Sequence, residues 1–238
     1  MPRSRQVSDE PAPLVQHLIE LRRRVGIALA AVIVGAIITF AWCDPLIALL
    51  RAPLGDTPLF FVGVGDAFGI RMQLSFIGGV ALAMPIWLWQ AWAFIRPGLT
   101  DSERRAARPW IPLALLLFVV GVAVAWVVLP FAVSFLLSFA TDDLTPLIAA
   151  DRYFGFVGSL MLVFGLATEY PILLVFLARV GVVTSAKLRR WRRNALVLAI
   201  VVGAFATPGT DLISPIVLGV VLYLLYELSI WLVRAGGR

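Results

Sequence analysis

The amino-acid sequence predicts an all-α integral membrane protein with six transmembrane helices and both termini in the cytoplasm. Three features support this prediction: the composition, the spacing of the apolar stretches and the distribution of basic residues. Of the 238 residues, 61% are apolar and 14% are charged, and the mean hydropathy is +0.95. A water-soluble domain does not need this much apolar sequence to fill its core. Because no polar or Gly/Ser-rich linker divides the chain, we expect one polytopic membrane domain over residues 1–238.

Six apolar stretches are spaced as membrane spans, each read against the roughly 20 residues that a helix needs to cross a bilayer. The predicted spans are 25–43, 73–95, 110–130, 154–178, 194–207 and 212–233. The first is interpreted as a true span rather than a cleaved signal, since Trp42 disrupts the small-residue pattern of a cleavage site.

The last two spans are predicted to be short. The fifth has 13 residues, "NALVLAIVVGAFA", before Thr207, and at about 1.5 Å per residue it reaches only about 20 Å across a hydrocarbon core of about 30 Å. In the sixth, Pro215 lies near the start and Glu227 limits the apolar run to 11 residues. The third span differs, because residues 109–140 carry no charge and allow it to run long and bend at Pro130.

The orientation follows from the basic residues. Lys and Arg number five in residues 1–24, four in 96–108, six in 179–193 and two in 234–238. The opposite side has two in 44–71, one in 130–153 and none between the last two spans. The positive-inside rule therefore places both termini in the cytoplasm.

Several function classes are excluded by what the sequence lacks. Lys187 is the only lysine and no phosphate-binding loop is present, so the chain is not a P-loop ATPase. We find no hydrolase or metalloprotease motif either, and we predict no enzyme activity, no cofactor and no metal site. Cys43, the only cysteine, is expected to be a small packing residue. The net charge of +6 is attributed to topology and anionic lipid rather than to nucleic acid.

Two acidic residues lie in patterned, basic cytoplasmic segments. Glu20 belongs to "HLIELRRRV", residues 17–25, which is typical of an interfacial amphipathic helix leading into the first span. Its structural interpretation is an ion pair with Arg24, four residues on. Glu103 lies in "TDSE", residues 100–103, which fits a helix-capping box with Thr100.

Two further acids fall inside predicted spans. Glu169 lies deep in the fourth span, where an ionised carboxylate costs at least about 2.5 to 3.5 kcal/mol, and Pro171 makes the helix locally polar there. Glu227 lies nearer the cytoplasmic end of the sixth span. Each could be a polar anchor between helices or a functional intramembrane site, and both interpretations stay open at this point.

Four motifs in register resemble the TatC family, the multi-span subunit of the twin-arginine protein translocase. They are "HLIELRRRV", "AMPIWLWQAWAFIRPGLTDSERR", "FGLATEYPILL" and "ATPGTDLISPIVLGVVLYLLYELSI", and the match runs from about residue 14 to 233.

The resemblance implies a concave, cup-like bundle with short helices five and six in the bacterial inner membrane. It also implies a multimeric receptor for twin-arginine signal peptides that works with single-span partners of the TatA and TatB type. Folded cargo would cross the membrane at the expense of the proton motive force.

The resemblance also assigns candidate site residues. By motif, the signal-binding carboxylates fall on Glu20 and Glu103, with Arg22 beside the first. Pro53, Glu169, Thr207, Asp211 and Glu227 match positions of functional or structural weight.

The chain departs from the family pattern at several of these places. Gly209 and Thr210 lengthen the motif that ends at Asp211, and Pro215 replaces the usual glutamine. Val221 stands in place of a proline and Thr168 in place of an aromatic residue. These departures affect the expected partner contact at spans five and six.

Two other classes of function remain as alternatives. The first is a proton-coupled secondary transporter of a small solute, with Glu169 and Glu227 as relay groups. Such a transporter is expected to show paired broken helices in its two halves, which the sequence does not indicate. The second is a purely structural membrane scaffold.

Overall fold

The structure of the chain is a computed structural model that describes residues 13–55, 57–98, 100–101, 104–105, 109–141, 146–179, 181, 183–206 and 213–235. These residues are almost entirely helical. In chain order the helices are α1 (Pro13–Ala41), α2 (Cys43–Arg51), α3 (Asp66–Ile95), α4 (Trp110–Leu137), α5 (Ala150–Ala167), α6 (Tyr170–Arg179), α7 (Ser185–Arg190), α8 (Arg192–Ala206) and α9 (Ile213–Ala235). Short 3-10 helices cover Ala52–Leu54 and Arg96–Gly98, and two-residue strands β1 (Leu59–Phe60) and β2 (Ile148–Ala149) pair in parallel.

Within the described residues, five helical segments are long and apolar enough to cross a membrane. They are Val15–Ala41, Asp66–Ile95, Trp110–Leu137, Ala150–Ala178 and Ile213–Arg234. The predicted fifth span, α8, has 15 residues and is about 22 Å long, so it is as short as expected.

The last helix lies close to its predicted bounds, since residues 212–233 were expected and α9 covers Ile213–Ala235. Its apolar run is short because Glu227 interrupts it, yet the helix continues for 23 residues. The Glu227 carboxylate pairs with Arg192 of α8 at 2.6 Å, so the charge is compensated without ending the helix. Among the five candidate spans it is still the shortest.

Other span boundaries shift for physical reasons. α1 begins at Pro13, so the predicted amphipathic segment and the first span form one continuous helix. α3 begins seven residues before the predicted start, and α4 runs through Pro130 to Leu137. The fourth span starts at Ala150 and is interrupted after Ala167, close to Pro171, which cannot donate a backbone hydrogen bond.

The packing of the helices is that of a membrane bundle. The main helix pairs are α1 with α3, α4 with α5, and α8 with α9. In addition, α3 contacts α5, and α9 contacts α6. The larger buried cluster includes Leu74, Leu129, Leu160, Phe164 and Leu218. Large apolar side chains such as Ile33, Ile37 and Phe205 lie on the outer surface, as in a protein solvated by lipid.

The α1–α3 contact depends on a glycine. A Cβ atom on Gly79 would lie 2.6 Å from the Ala36 nitrogen and 2.7 Å from the Val32 oxygen. The backbones of α1 and α3 can approach this closely only because Gly79 has no side chain. Small residues at such contacts are common in pairs of membrane helices.

Helices α2, α3 and α5 are tied together at the end of the bundle where α1 ends and α3 begins. Asp44 of α2 accepts a hydrogen bond from Arg71 of α3, and the Tyr153 hydroxyl donates to the Leu50 carbonyl at 2.8 Å. Cys43 is fully buried, and burial raises the pKa of its thiol, in agreement with its predicted packing role. Pro53 is half-buried in the Ala52–Leu54 turn beside this cluster.

Candidate functional site: a carboxylate cleft and an apolar cavity

Glu20 lies at the side of a cleft between α1 and α3. Its Oε1 atom accepts hydrogen bonds from Arg24, at 2.9 Å from Nε and 2.5 Å from Nη2. Arg24 also contacts Gln90 of α3, since Arg24 Nη1 donates a hydrogen bond to Gln90 Oε1 at 3.3 Å. The ion pair with Arg24 that the sequence predicts is therefore present. Glu20 keeps a third of its side-chain surface exposed, and within the described residues its Oε2 atom has no hydrogen-bond partner.

The cleft around Glu20 has a volume of about 300 Å³. It is lined by Glu20, Arg23, Arg24, Ile27, Trp89 and Gln90. Arg22, which the motif comparison singled out, is exposed on α1 and makes no ion pair with any residue that the structure describes.

The loop after α3 starts next to this cleft. His17 of α1 stacks on Phe94 of α3, with ring centroids 4.3 Å apart, which brings the start of α1 to the end of α3. A second cleft is lined by Arg24, Ala93, Arg96, Pro97 and Arg104. Arg104 thus shares a cleft with Arg24, the partner of Glu20. Glu103 itself lies outside the described residues, as do Thr207, Gly209, Thr210 and Asp211.

Glu169 stands at the interruption between α5 and α6. Its Oε1 atom is buried without a hydrogen-bond partner in the described part of the chain. The residue lines a cavity of about 370 Å³ whose other walls come from α3, α4, α5 and α6. The walls are almost wholly apolar and include Trp87, Trp92 and Trp110.

Thr168, immediately before Glu169, fixes the interruption. Its Oγ1 atom lies 2.7 Å from the carbonyl oxygens of both Leu117 in α4 and Gly165 in α5, so one hydroxyl hydrogen is shared between them. Gly121 of α4 makes room, because a Cβ there would collide with Thr168 Oγ1 and lie 2.5 Å from the Phe164 oxygen. Beyond the interruption, the Glu169 carbonyl accepts from Ile172 at 3.1 Å and from Leu173 at 3.3 Å. The carboxyl group is therefore carried by a backbone that is anchored on both sides.

Glu227 lies away from the Glu20 cleft, between α8 and α9. Arg192 Nη2 is 2.6 Å from Glu227 Oε2, and the Tyr223 hydroxyl donates to Oε1 at 3.4 Å. The neighbouring Tyr226 donates to the Leu188 carbonyl at 2.7 Å and stacks on Tyr170, which follows Glu169. Glu227 thus ties the short helix α8 to α9.

The structure therefore brings the predicted residues together in part. The Glu20 cleft and the Glu169 cavity both use the last turns of α3, since Trp89 and Gln90 line the first and Trp87 and Trp92 the second. Pro53 lies in the loop region at the other end of the bundle, and Glu227 lies in a separate helix pair. Gln90 and Thr168 make contacts that the sequence did not indicate.

Comparison with known proteins identifies the family. Residues 16–220 match the family model "Sec-independent protein translocase protein (TatC)". A protein of that name from Aquifex aeolicus is 35% identical over 233 residues, covering 95% of this chain and 96% of its own length. Another from Frankia casuarinae is 36% identical over 244 residues, covering 96% of this chain and 67% of its own.

A solved structure gives the same result for the fold. The crystal structure of a protein described as the twin-arginine translocase receptor TatC superposes with a TM-score of 0.80 and 34% identity. The match covers 93% of this chain and all of that one. The chain therefore belongs to the TatC family of Sec-independent protein translocase proteins.

Proposed function

We propose that the chain is the subunit of a twin-arginine translocase that binds twin-arginine signal peptides. With single-span partners of the TatA and TatB type, it would export folded proteins across the bacterial inner membrane, driven by the proton motive force. Both termini would lie in the cytoplasm, on the side of the Glu20 cleft. The observation that supports the proposal most directly is the Glu20 carboxylate, whose Oε2 atom has no partner among the described residues and lies in a cleft next to the loop that carries Glu103.

Recognition of two arginines requires two carboxylates with suitable geometry. A guanidinium group forms paired hydrogen bonds with a planar carboxylate, whereas a lysine ammonium group offers a single point of charge. Glu20 uses only Oε1 for Arg24, so Oε2 can accept a hydrogen bond from an incoming arginine. Glu103 would provide the second carboxylate.

The energy available from such a site is sufficient for selection. A 100-fold preference for the cognate peptide requires about 2.7 kcal/mol. Fully exposed ion pairs contribute about 0.2 to 1 kcal/mol each, which is too little. Partly desolvated charged hydrogen bonds contribute about 1.5 to 3 kcal/mol each, so two of them are enough. The partial burial of the Glu20 side chain in the cleft fits this second case.

The apolar segment of the signal would enter the cavity that Glu169 lines. This cavity opens from the same end of α3 as the Glu20 cleft, and its tryptophan-rich walls suit an apolar helix. The single buried carboxyl group would mark the position at which the signal or a partner span is sensed. Pro53, Thr207, Asp211 and Glu227 would serve partner contact or the shape of the loops and helices that support it.

A signal-peptide binding assay tests the proposal. The detergent-solubilised chain is titrated with fluorescent signal peptides that carry Arg-Arg or Lys-Lys at the paired position. We expect at least tenfold tighter binding of the Arg-Arg peptide, and loss of that preference in Glu20→Gln and in Glu103→Gln. Asp101→Asn is the matched control, because it removes a carboxylate from the same loop. The Asp101 side chain is 86% exposed. Equal binding of both peptides to the unaltered chain would contradict the proposal.

The transporter alternative makes a different prediction for the same two acids. It requires Glu227 to exchange protons with Glu169, whereas Glu227 is held by Arg192 and Tyr223. Solute-dependent proton uptake into vesicles that contain only this chain would favour a transporter. Arg-Arg selectivity without proton uptake would favour the translocase. If neither proton uptake nor Arg-Arg selectivity is observed, the structural scaffold is the interpretation that is left.

A further inference from the structure

A cleft rich in arginine and tryptophan lies beside the Glu20 cleft, on the other side of Trp89. Its volume is about 330 Å³, and it is lined by Trp89, Trp92, Arg96, Arg104, Arg105 and Ile111. Arg96 and Arg104 also line the adjoining cleft that contains Arg24. Three guanidinium groups from the end of α3 and the following loop thus converge on one space.

Among the described residues, these positive charges have little compensation. Arg104 pairs with Asp101 at 3.5 Å, but Asp101 is almost fully exposed and such a pair is weak. The Nε atom of Arg104 donates to the Arg96 carbonyl at 3.0 Å, which neutralises no charge. Among the residues that the structure describes, neither Arg96 nor Arg105 pairs with a carboxylate. The cleft is therefore suited to an anion from outside the chain.

Geometry and position favour a phosphate group attached to a lipid. Guanidinium groups match the tetrahedral oxygens of a phosphate through paired hydrogen bonds. Tryptophan side chains settle at the level of the lipid headgroups, and basic clefts between membrane helices on the cytoplasmic side bind anionic headgroups.

The surface of α3 below the cleft provides a place for the rest of the lipid. Leu82, Ile86 and Trp89 are spaced four and three residues apart, so they share one helix face, and all three are exposed. This face runs from the cleft toward the centre of the bundle. A free phosphate ion would not contact this apolar face, whereas the acyl chain of a lipid would cover it.

We propose that Arg96, Arg104, Arg105, Trp89 and Trp92 bind the phosphate of an anionic phospholipid whose acyl chain lies along Leu82 and Ile86. The bound headgroup would lower the positive potential beside the Glu20 cleft. It would thereby reduce the repulsion between these arginines and the basic start of a signal peptide. This consequence rests on the proposed function, whereas the lipid site does not.

Native mass spectrometry of the full chain tests the lipid site directly. The protein is released from neutral detergent micelles that contain equal amounts of dioleoyl phosphatidylglycerol and dioleoyl phosphatidylcholine. We expect at least a fivefold excess of retained phosphatidylglycerol, reduced at least threefold in the Arg96→Gln/Arg105→Gln double variant. The Arg189→Gln/Arg190→Gln variant removes two exposed arginines of α7 and serves as the matched control, with retention unchanged.

Three results would overturn the lipid site. They are equal retention of the two lipids by the unaltered chain, the same excess in the Arg96→Gln/Arg105→Gln variant, and displacement by inorganic phosphate as effective as displacement by dihexanoyl phosphatidylglycerol. The last result would indicate a free-phosphate site. If the double variant does not give a monodisperse protein, competition of dihexanoyl phosphatidylglycerol against dihexanoyl phosphatidylcholine on the unaltered chain decides the question.

A separate measurement distinguishes this site from the signal-binding proposal. Affinity for the Arg-Arg peptide is compared in micelles with and without phosphatidylglycerol, and we expect at least a threefold gain with the anionic lipid. Selective lipid retention without this gain would overturn the effect on signal binding alone. Absence of Arg-Arg selectivity under both conditions would overturn the proposed function and leave the lipid site standing.

Discussion

Thr168 and Leu117 are joined across two helices, with Thr168 Oγ1 2.7 Å from the Leu117 carbonyl oxygen. The threonine departs from the aromatic residue that the family pattern places before the intramembrane glutamate. Its hydroxyl anchors the chain locally, since it also lies 2.7 Å from the Gly165 carbonyl oxygen. The side chain is almost completely buried. We infer that this contact holds the backbone that carries Glu169.

Replacing Thr168 with valine tests the anchor. The change keeps the shape of the side chain but removes the donor, so we expect a loss of about 0.5 to 1.5 kcal/mol in the free energy of unfolding. Thermal unfolding in detergent measures it. Ser138→Ala is the control, because Ser138 donates to the Phe135 carbonyl at 2.7 Å on an exposed surface and its loss should have almost no effect. Equal effects of the two variants would contradict the anchoring role.

Replacing Glu169 with alanine separates stability from function. The buried Oε1 atom has no hydrogen-bond partner among the described residues, so its removal takes away an unfavourable desolvation term. We expect the melting temperature to stay the same or rise, while the pattern of crosslinks to partner spans changes. Leu116→Ala, on the exposed surface of α4, is the control for crosslinking. A lower melting temperature with an unchanged crosslinking pattern would favour a polar anchor between helices.

The pair formed by Arg192 and Glu227 is expected to couple α8 to α9 weakly. Their nitrogen and oxygen atoms are 2.6 Å apart, but both side chains are about a third to a half exposed, so solvent screens the interaction. A double-mutant cycle with Arg192→Ala and Glu227→Ala should give a coupling energy of about 0.2 to 1 kcal/mol in detergent unfolding. Additive effects of the two changes would show that the ion pair does not hold these helices together.

Local patterns in the sequence predicted most of the fold. Apolar runs located the membrane helices, and the short stretch of 13 uncharged residues before Thr207 predicted the short α8. Glu227 ends the apolar run of the last span without ending α9, because Arg192 lies opposite its carboxylate. The helix α2 and the pairing of β1 with β2 were missed, since short elements give little periodic signal.

The site was predicted less completely for a related reason. Glu20 and Glu169 stand out in the sequence because each is an acidic residue in a segment of different character. Glu20 lies in a basic segment and Glu169 in an apolar one. Gln90 and Leu117 do not stand out, because their roles depend on which helices are neighbours. The Arg24–Gln90 contact joins residues 66 positions apart and the Thr168–Leu117 contact joins residues 51 positions apart. No local pattern carries that information.

The crossing of α1 and α3 gives a sharp test of close packing. A Cβ on Gly79 would lie 2.6 Å from the Ala36 nitrogen, and backbone atoms cannot move aside as a flexible side chain can. We therefore expect Gly79→Ala to cost about 1 to 3 kcal/mol, measured as a lower melting temperature in detergent. Because α1 and α3 also form both walls of the Glu20 cleft, the variant should weaken binding of the Arg-Arg peptide.

Gly26→Ala is the matched control, since nothing lies within 4 Å of its added Cβ. In that helical position alanine should be neutral or stabilising by up to about 1 kcal/mol. If both variants melt at the temperature of the unaltered chain, the close approach of α1 and α3 is not required for stability.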